Sequence, residues 1–125
     1  MINAYFNKLS QILEINFTGE IYATDLYDFI SSFKTNQSHP KELKGLITAT
    51  DTIFKFSIND LRTFNQAKAE SLEHFDMAII AIVINDSSTA AMSTLFQFQS
   101  KSKKFKFNIF STHEAAKFWL DSYNI

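Results

Sequence analysis

Phe105-Lys106-Phe107-Asn108-Ile109-Phe110-Ser111-Thr112-His113-Glu114-Ala115-Ala116-Lys117-Phe118-Trp119-Leu120 is the stretch that decides the fold. Phe105, Phe107 and Ile109 share one side of an extended segment, and Lys104, Lys106 and Asn108 share the other. This period of two is that of a half-buried strand. Ser111 followed by Glu114 makes a Ser-x-x-Glu box, which satisfies the orphan N–H groups at a helix start. An amphipathic helix is expected next, closing an α/β domain on a buried Trp119-Leu120 pair.

Working back from there, Thr89 to Ser100 reads as a helix led in by Asn85-Asp86-Ser87-Ser88. Met77 to Ile84 is continuous and β-branched, the signature of a strand buried on both faces. Ahead of it, Ser57 and Asp60 form an acidic variant of the capping box for a helix presenting Ile58, Leu61, Phe64 and Ala67, which frays near Ser71 to His74. Thr52-Ile53-Phe54-Lys55-Phe56 reads as a connection after a short strand, Gly45 to Thr50, that ends at Asp51. The polar segment Lys34 to Lys44 holds the single proline and reads as a loop.

Nearer the N-terminus, Thr24 is expected to cap a helix whose face carries Leu26, Phe29, Ile30 and Phe33. Ala4 to Asn7 and Ile12 to Thr18 form an antiparallel hairpin around Lys8 to Gln11, with Gly19 ending the second strand. The order is ββαβαβαβα. It predicts an α/β fold: a four- to five-stranded, mostly parallel sheet with an antiparallel N-terminal hairpin and flanking helices, in a single domain over residues 1–125.

Composition narrows the function. A net charge of −1 argues against a nucleic-acid binder that relies on a global positive field. The chain has no cysteine, so thiolate catalysis, disulfides and Cys-type zinc sites are excluded. Polar residues interrupt every apolar run at the N-terminus, and the longest run, Met77 to Ile84, falls far short of a bilayer span. These readings predict a soluble cytoplasmic protein with no transmembrane segment. The aromatic content is nearly all Phe: fourteen, against one Trp and four Tyr. Phe buries a large area without a polar tip, so a bulky core or a ligand or partner surface accounts for it.

Motifs for chemistry are scarce. His39, His74 and His113 are dispersed and read as surface residues rather than metal ligands or bases. Ser57, Ser87 and Ser88, with Asp51 and Asp86, stand near strand ends where open α/β sheets place sites. Ser and Asp are also the usual helix caps at such positions, and there is no Gly-x-Ser-x-Gly elbow. With only Gly19 and Gly45 present, no phosphate-binding loop or dinucleotide fingerprint exists. No metal site, cofactor or catalytic residue is expected. Lys101, Lys103, Lys104 and Lys106 form one basic cluster, either a rim for an anionic surface or lysines guarding an edge strand. Phe54 and Phe56, together with Phe96 and Phe98, exceed what one core face absorbs, since positions two apart on a helix diverge.

The chain resembles the SpoIIAA-like family, bacterial domains related to STAS and CRAL-TRIO folds. The resemblance rests on the strand and Gly19 before the first helix, Ser57-Ile58-Asn59-Asp60-Leu61, the strand Met77 to Ile84, and the ending Ile109-Phe110-Ser111 through Glu114-Ala115-Ala116 to Trp119-Leu120. It implies a flanked four- or five-stranded sheet and two functional branches. Anti-sigma-factor antagonists in one branch carry an Asp-Ser-Ser-Gly-Leu motif with a phosphorylated serine. Aligned on Leu61, Ile58 and Asn59 replace the serines and Asp60 the glycine, so the phospho-switch does not transfer. The other branch holds lipid in an apolar cavity under a mobile helix.

The sequence therefore leads to a non-catalytic STAS/CRAL-TRIO-like module that binds a protein partner or itself through Phe54, Phe56, Ser57, Phe96 and Phe98. A small carrier of an apolar ligand is the alternative. An enzyme of unknown type, using Asp51, Ser57 and Asp86, stands third.

Overall fold

Five strands form one sheet in the order β1-β2-β3-β4-β5. They are β1 (Ile2–Asn7), β2 (Ile12–Tyr22), β3 (Glu42–Lys55), β4 (Met77–Val83) and β5 (Phe105–Phe110). In this computed structural model, residues 1–36, 38–99 and 102–123 are described, with Phe98 and Gln99 described by backbone alone. The strands β1 and β2 pair antiparallel and the other pairs are parallel, as the element order predicts.

Sequential strand order dictates where the helices go. A right-handed crossover that always steps in one direction puts its helix on the same face each time. The three crossover helices, α1 (Ala23–Thr35), α2 (Leu61–Ser71) and α3 (Ser87–Gln99), accordingly share one face. The last helix, α4 (His113–Asp121), is not a crossover and packs on the other. It buries Ala116 and Leu120 against Leu46, Ile79, Ala81 and Val83, while Trp119 of the expected pair is only half-buried. Beyond α4 this face carries polar side chains such as Asn3, Glu14 and Asn16, so the hairpin end of the sheet meets water on one side.

Several boundaries differ from the sequence reading: β1 begins at Ile2, β3 at Glu42 within the segment read as a loop, the second helix at Leu61 after a short turn, and the third at Ser87. Three further differences have a clear local reason. The first helix begins at Ala23, with Tyr22 as its cap: the Tyr22 N–H donates to the Asp25 carboxylate at 2.9 Å, and Thr24 lies inside the first turn. The last helix is capped by Thr112, whose Oγ1 accepts the Ala115 N–H at 3.2 Å, and Ser111 stays outside. The third difference is larger. Gly19 does not end β2, and the segment from Thr52 is not a connection: β2 runs to Tyr22 and β3 to Lys55, paired from Thr18↔Asp51 to Tyr22↔Lys55. Gly19 allows the continuation by taking a left-handed φ of 71° within the strand.

Between Asn16↔Thr48 and Thr18↔Asp51, Phe17 opposes both Ala49 and Thr50, a bulge of one residue on β3. The side-chain period of a strand is two, so one extra residue inverts the phase. Leu43, Ile47 and Ala49 face α1–α3 before the bulge; Phe54 faces them after it, and Ile53 and Lys55 turn outward. Without the bulge, Ile53 and Lys55 would point inward. The inserted residue is what brings Phe54 and Phe56 to the helical face.

Candidate functional site

The space between the sheet and α1–α3 is not filled. It holds a cavity of about 150 Å³ lined almost wholly by apolar side chains. Ten of the fourteen phenylalanines contribute to its wall, which accounts for the Phe excess in the composition. Seven of them run ring to ring. Phe75 meets Phe33, Phe33 meets Phe29, Phe29 meets Phe17 and Phe17 meets Phe54, at centroid distances of 6.4, 5.2, 6.1 and 6.1 Å. Phe54 then stacks on Phe56 at 4.9 Å, and Phe56 meets the edge of Phe64 at 5.0 Å. Most of these are edge-to-face contacts, the arrangement the ring quadrupole favours. Phe96, Phe105 and Phe107 form a second cluster in the same wall, with centroids 5.4 to 6.3 Å apart.

Lys68 breaks the apolar lining. It occupies the buried stripe of α2 with Leu61, Phe64 and Ser71, spaced three and four residues apart, and is only 7% exposed. Its Nζ donates to Asn65 Oδ1 at 3.0 Å and lies 4.3 Å from the Phe105 centroid and 5.2 Å from that of Phe96. Both distances fall in the range of a cation–π contact. Burial disfavours the charged ammonium and pulls its pKa from 10.5 down to about 8. Ser71 and Ser93 also reach the cavity; the Ser71 hydroxyl is engaged by the Ile30 carbonyl at 2.8 Å.

The residues expected from sequence separate into groups. Phe54, Phe56 and Phe96 are half-buried and line the cavity together. Ser57 is exposed at the start of the short 3₁₀ turn Ile58–Asp60, where its N–H donates to the Asp60 carboxylate at 2.9 Å. The side chain of Phe98 and the whole of Lys101 lie outside the described residues. Lys103 and Lys104 are exposed in the turn before β5, and Lys106 projects from the opposite side of β5 to Phe105 and Phe107. Asp86 accepts the Thr89 N–H at 2.8 Å, which holds its carboxyl below the ordinary range, and Asp51 is exposed on β3. None of Asp51, Ser57 and Asp86 is in the cavity wall. His39 packs beside the Phe33 ring, His74 is exposed, and His113 pairs with Thr48 Oγ1 at 2.9 Å. Among the described residues no three His, Asp or Glu side chains come together as a metal site.

Lys68 is the residue that the sequence reading passes over. The signal was present: continuing the stripe Leu61, Phe64 by helical steps lands on Lys68 and Ser71, a lysine on the apolar face.

A solved structure with similar architecture is that of an uncharacterized protein of the DUF3478 family, with a SpoIIAA-like fold, from Shewanella loihica PV-4. The match has a TM-score of 0.61 and 15% sequence identity, covering 96% of this chain and 92% of that one. This chain has a SpoIIAA-like α/β fold. No protein-family model and no curated protein matches the sequence. No helix among the described residues is long and apolar enough to cross a membrane.

Proposed function

We propose that the protein is a non-catalytic binding module that holds a small apolar ligand between its sheet and the α1–α3 layer. The cavity carries this reading: ten phenylalanines surround space that a well-packed interior would have filled. An apolar cavity of about 150 Å³ elsewhere binds benzene, which sets the size of the ligand at roughly one ring or a short alkyl chain.

The partner reading needs Phe54, Phe56 and Phe96 in particular to stand at the surface. Phe54, Phe56 and Phe96 instead sit half-buried in the cavity wall, which favours the ligand over the partner. Ser57 and Asp86 serve helix starts, so no chemical step is assigned to them. Burying about five methylenes at roughly 0.8 kcal/mol each gives about 4 kcal/mol, a Kd near 1 mM. Calorimetric titration with hexan-1-ol tests the reading. It expects saturable one-to-one binding at about that affinity or tighter, and the absence of saturable heat overturns it.

A further inference from the structure

The two edges of the sheet are finished differently. On β5 the Ala78 N–H donates to the Lys104 carbonyl and the Ile84 N–H to the Phe110 carbonyl, so even-numbered residues bond β4 and odd-numbered ones face out. Of the outward groups, the Phe107 carbonyl accepts Gln97 Nε2 from α3 at 2.5 Å, and the Ile109 N–H donates to Asn108 Oδ1 at 2.9 Å. Lys104 and Lys106 add charge, a common guard of an exposed edge.

The β1 edge lacks such guards. Ile2–Asn7 carries no charge and no proline. The Thr18 N–H donates to the Met1 carbonyl at 2.9 Å, which makes Met1 and Thr18 a hydrogen-bonded pair. By alternation, Asn3 with Asn16, Tyr5 with Glu14 and Asn7 with Ile12 are hydrogen-bonded pairs too. Ile2, Ala4 and Phe6 therefore direct their N–H and C=O groups away from β2, along the free edge of the sheet. We propose that this edge is a homodimer interface, in which β1 pairs antiparallel with β1 of a second copy about a two-fold axis between the two Ala4 residues.

A foreign strand could meet the same main-chain groups; the strand's fit to itself is what favours a second copy. With the axis perpendicular to the sheet, Ile2 stands opposite the partner's Phe6 and Ala4 opposite the partner's Ala4, each pair exchanging both outward bonds. Facing residues then stay in phase. Ile2, Ala4 and Phe6 meet apolar neighbours on the helical face, and Tyr5, 66% exposed, meets the partner's Asn3 on the other. Charge does not oppose the contact. Glu14 on β2 lies three strand spacings from its counterpart, at least about 14 Å, beyond the screening length of about 8 Å. Pairing of one edge with itself closes at two copies. No β1 residue lines the cavity, so the interface stands or falls separately from the ligand site.

Sedimentation equilibrium of the wild type from about 1 to 500 μM should show monomer and dimer with a Kd of roughly 10–100 μM, the range of a small interface. Ala4→Pro removes the outward N–H at the axis and leaves the bonds to β2 in place, so it should weaken association at least about tenfold with a native-like ¹⁵N–¹H spectrum. A second test reads the register. Ala4→Lys and Ala4→Glu each place like charges opposite one another, and each alone should associate at least about threefold more weakly than wild type. Mixing the two should recover the association, because the pair at the axis is then of opposite sign. A wild type that stays monomeric throughout, a folded Ala4→Pro that dimerises undiminished, or a mixture no tighter than either charged variant overturns the proposal.

Discussion

Lys68 imposes a stability cost that depends on pH. Its folded-state pKa of about 8 lies below the 10.5 of the unhindered amine. Below about pH 8 the folded chain keeps a desolvated cation that the unfolded chain leaves in water, so the penalty is fully present there. Between about 8 and 10.5 the unfolded state binds more protons, and this residue's contribution to stability rises with pH. Lys68→Met should therefore be more stable than wild type by about 1–3 kcal/mol at pH 7. That advantage should shrink across this window. The difference between the two urea-unfolding stabilities, measured from pH 7 to 10.5, isolates Lys68 because every other titrating group is common to both proteins. A constant difference contradicts the account. A second residue-scale expectation concerns the α4 cap. Thr112→Ala should cost about 1 kcal/mol, and Ser111→Ala less than about 0.5 kcal/mol, because only the threonine hydroxyl accepts a helix N–H.

At the scale of elements, the β3 bulge and the placement of α4 make separate predictions. Paired to β2 as far as Lys55, the segment 51–55 should show alternate backbone amides exchanging slowly in hydrogen-exchange NMR. Uniformly fast exchange would mean a loop. Leu120 is fully buried while Phe118, two positions earlier, is 81% exposed. Leu120→Ala should cost about 2–5 kcal/mol, and Phe118→Ala about 0.5 kcal/mol or less, in denaturant unfolding. The elements that were legible in sequence are those whose periodicity is unbroken. Met77 to Val83 reads as a buried strand because it is continuously apolar, and Phe105 to Phe110 because it alternates without interruption. The long third strand was not legible as one element. Its alternation changes phase at Thr50-Asp51, so a reader sees a strand and then a loop. Two caps differ from expectation: in α1 the Asp25 carboxylate reaches back to the Tyr22 N–H, so the helix starts without a Ser or Thr cap, and in α4 Ser111 and Thr112 are neighbours of which only the threonine is placed to accept a helix N–H.

Over the whole molecule, strand order determines where the cavity lies. Stepwise right-handed crossovers crowd three helices onto one face and leave α4 alone on the other. The cavity lies under the three-helix layer, with Phe29 and Phe33 from α1, Phe64 and Lys68 from α2, and Met92 and Phe96 from α3. The sequence held the materials of this site, in surplus Phe and one lysine on an apolar stripe, but not its location. Which phenylalanines face each other depends on the bulge and on the face each crossover takes. The two faces also give the central claim an internal control. Ile15, Ile47, Ile80 and Ile82 line the cavity, whereas Ile12 and Ile79 lie on the α4 side. Methyl NMR of isoleucine-labelled protein titrated with hexan-1-ol should shift the first group saturably and leave the second in place. Unmoved cavity methyls, or shifts confined to Ile12 and Ile79, would contradict a ligand site between the sheet and the three helices.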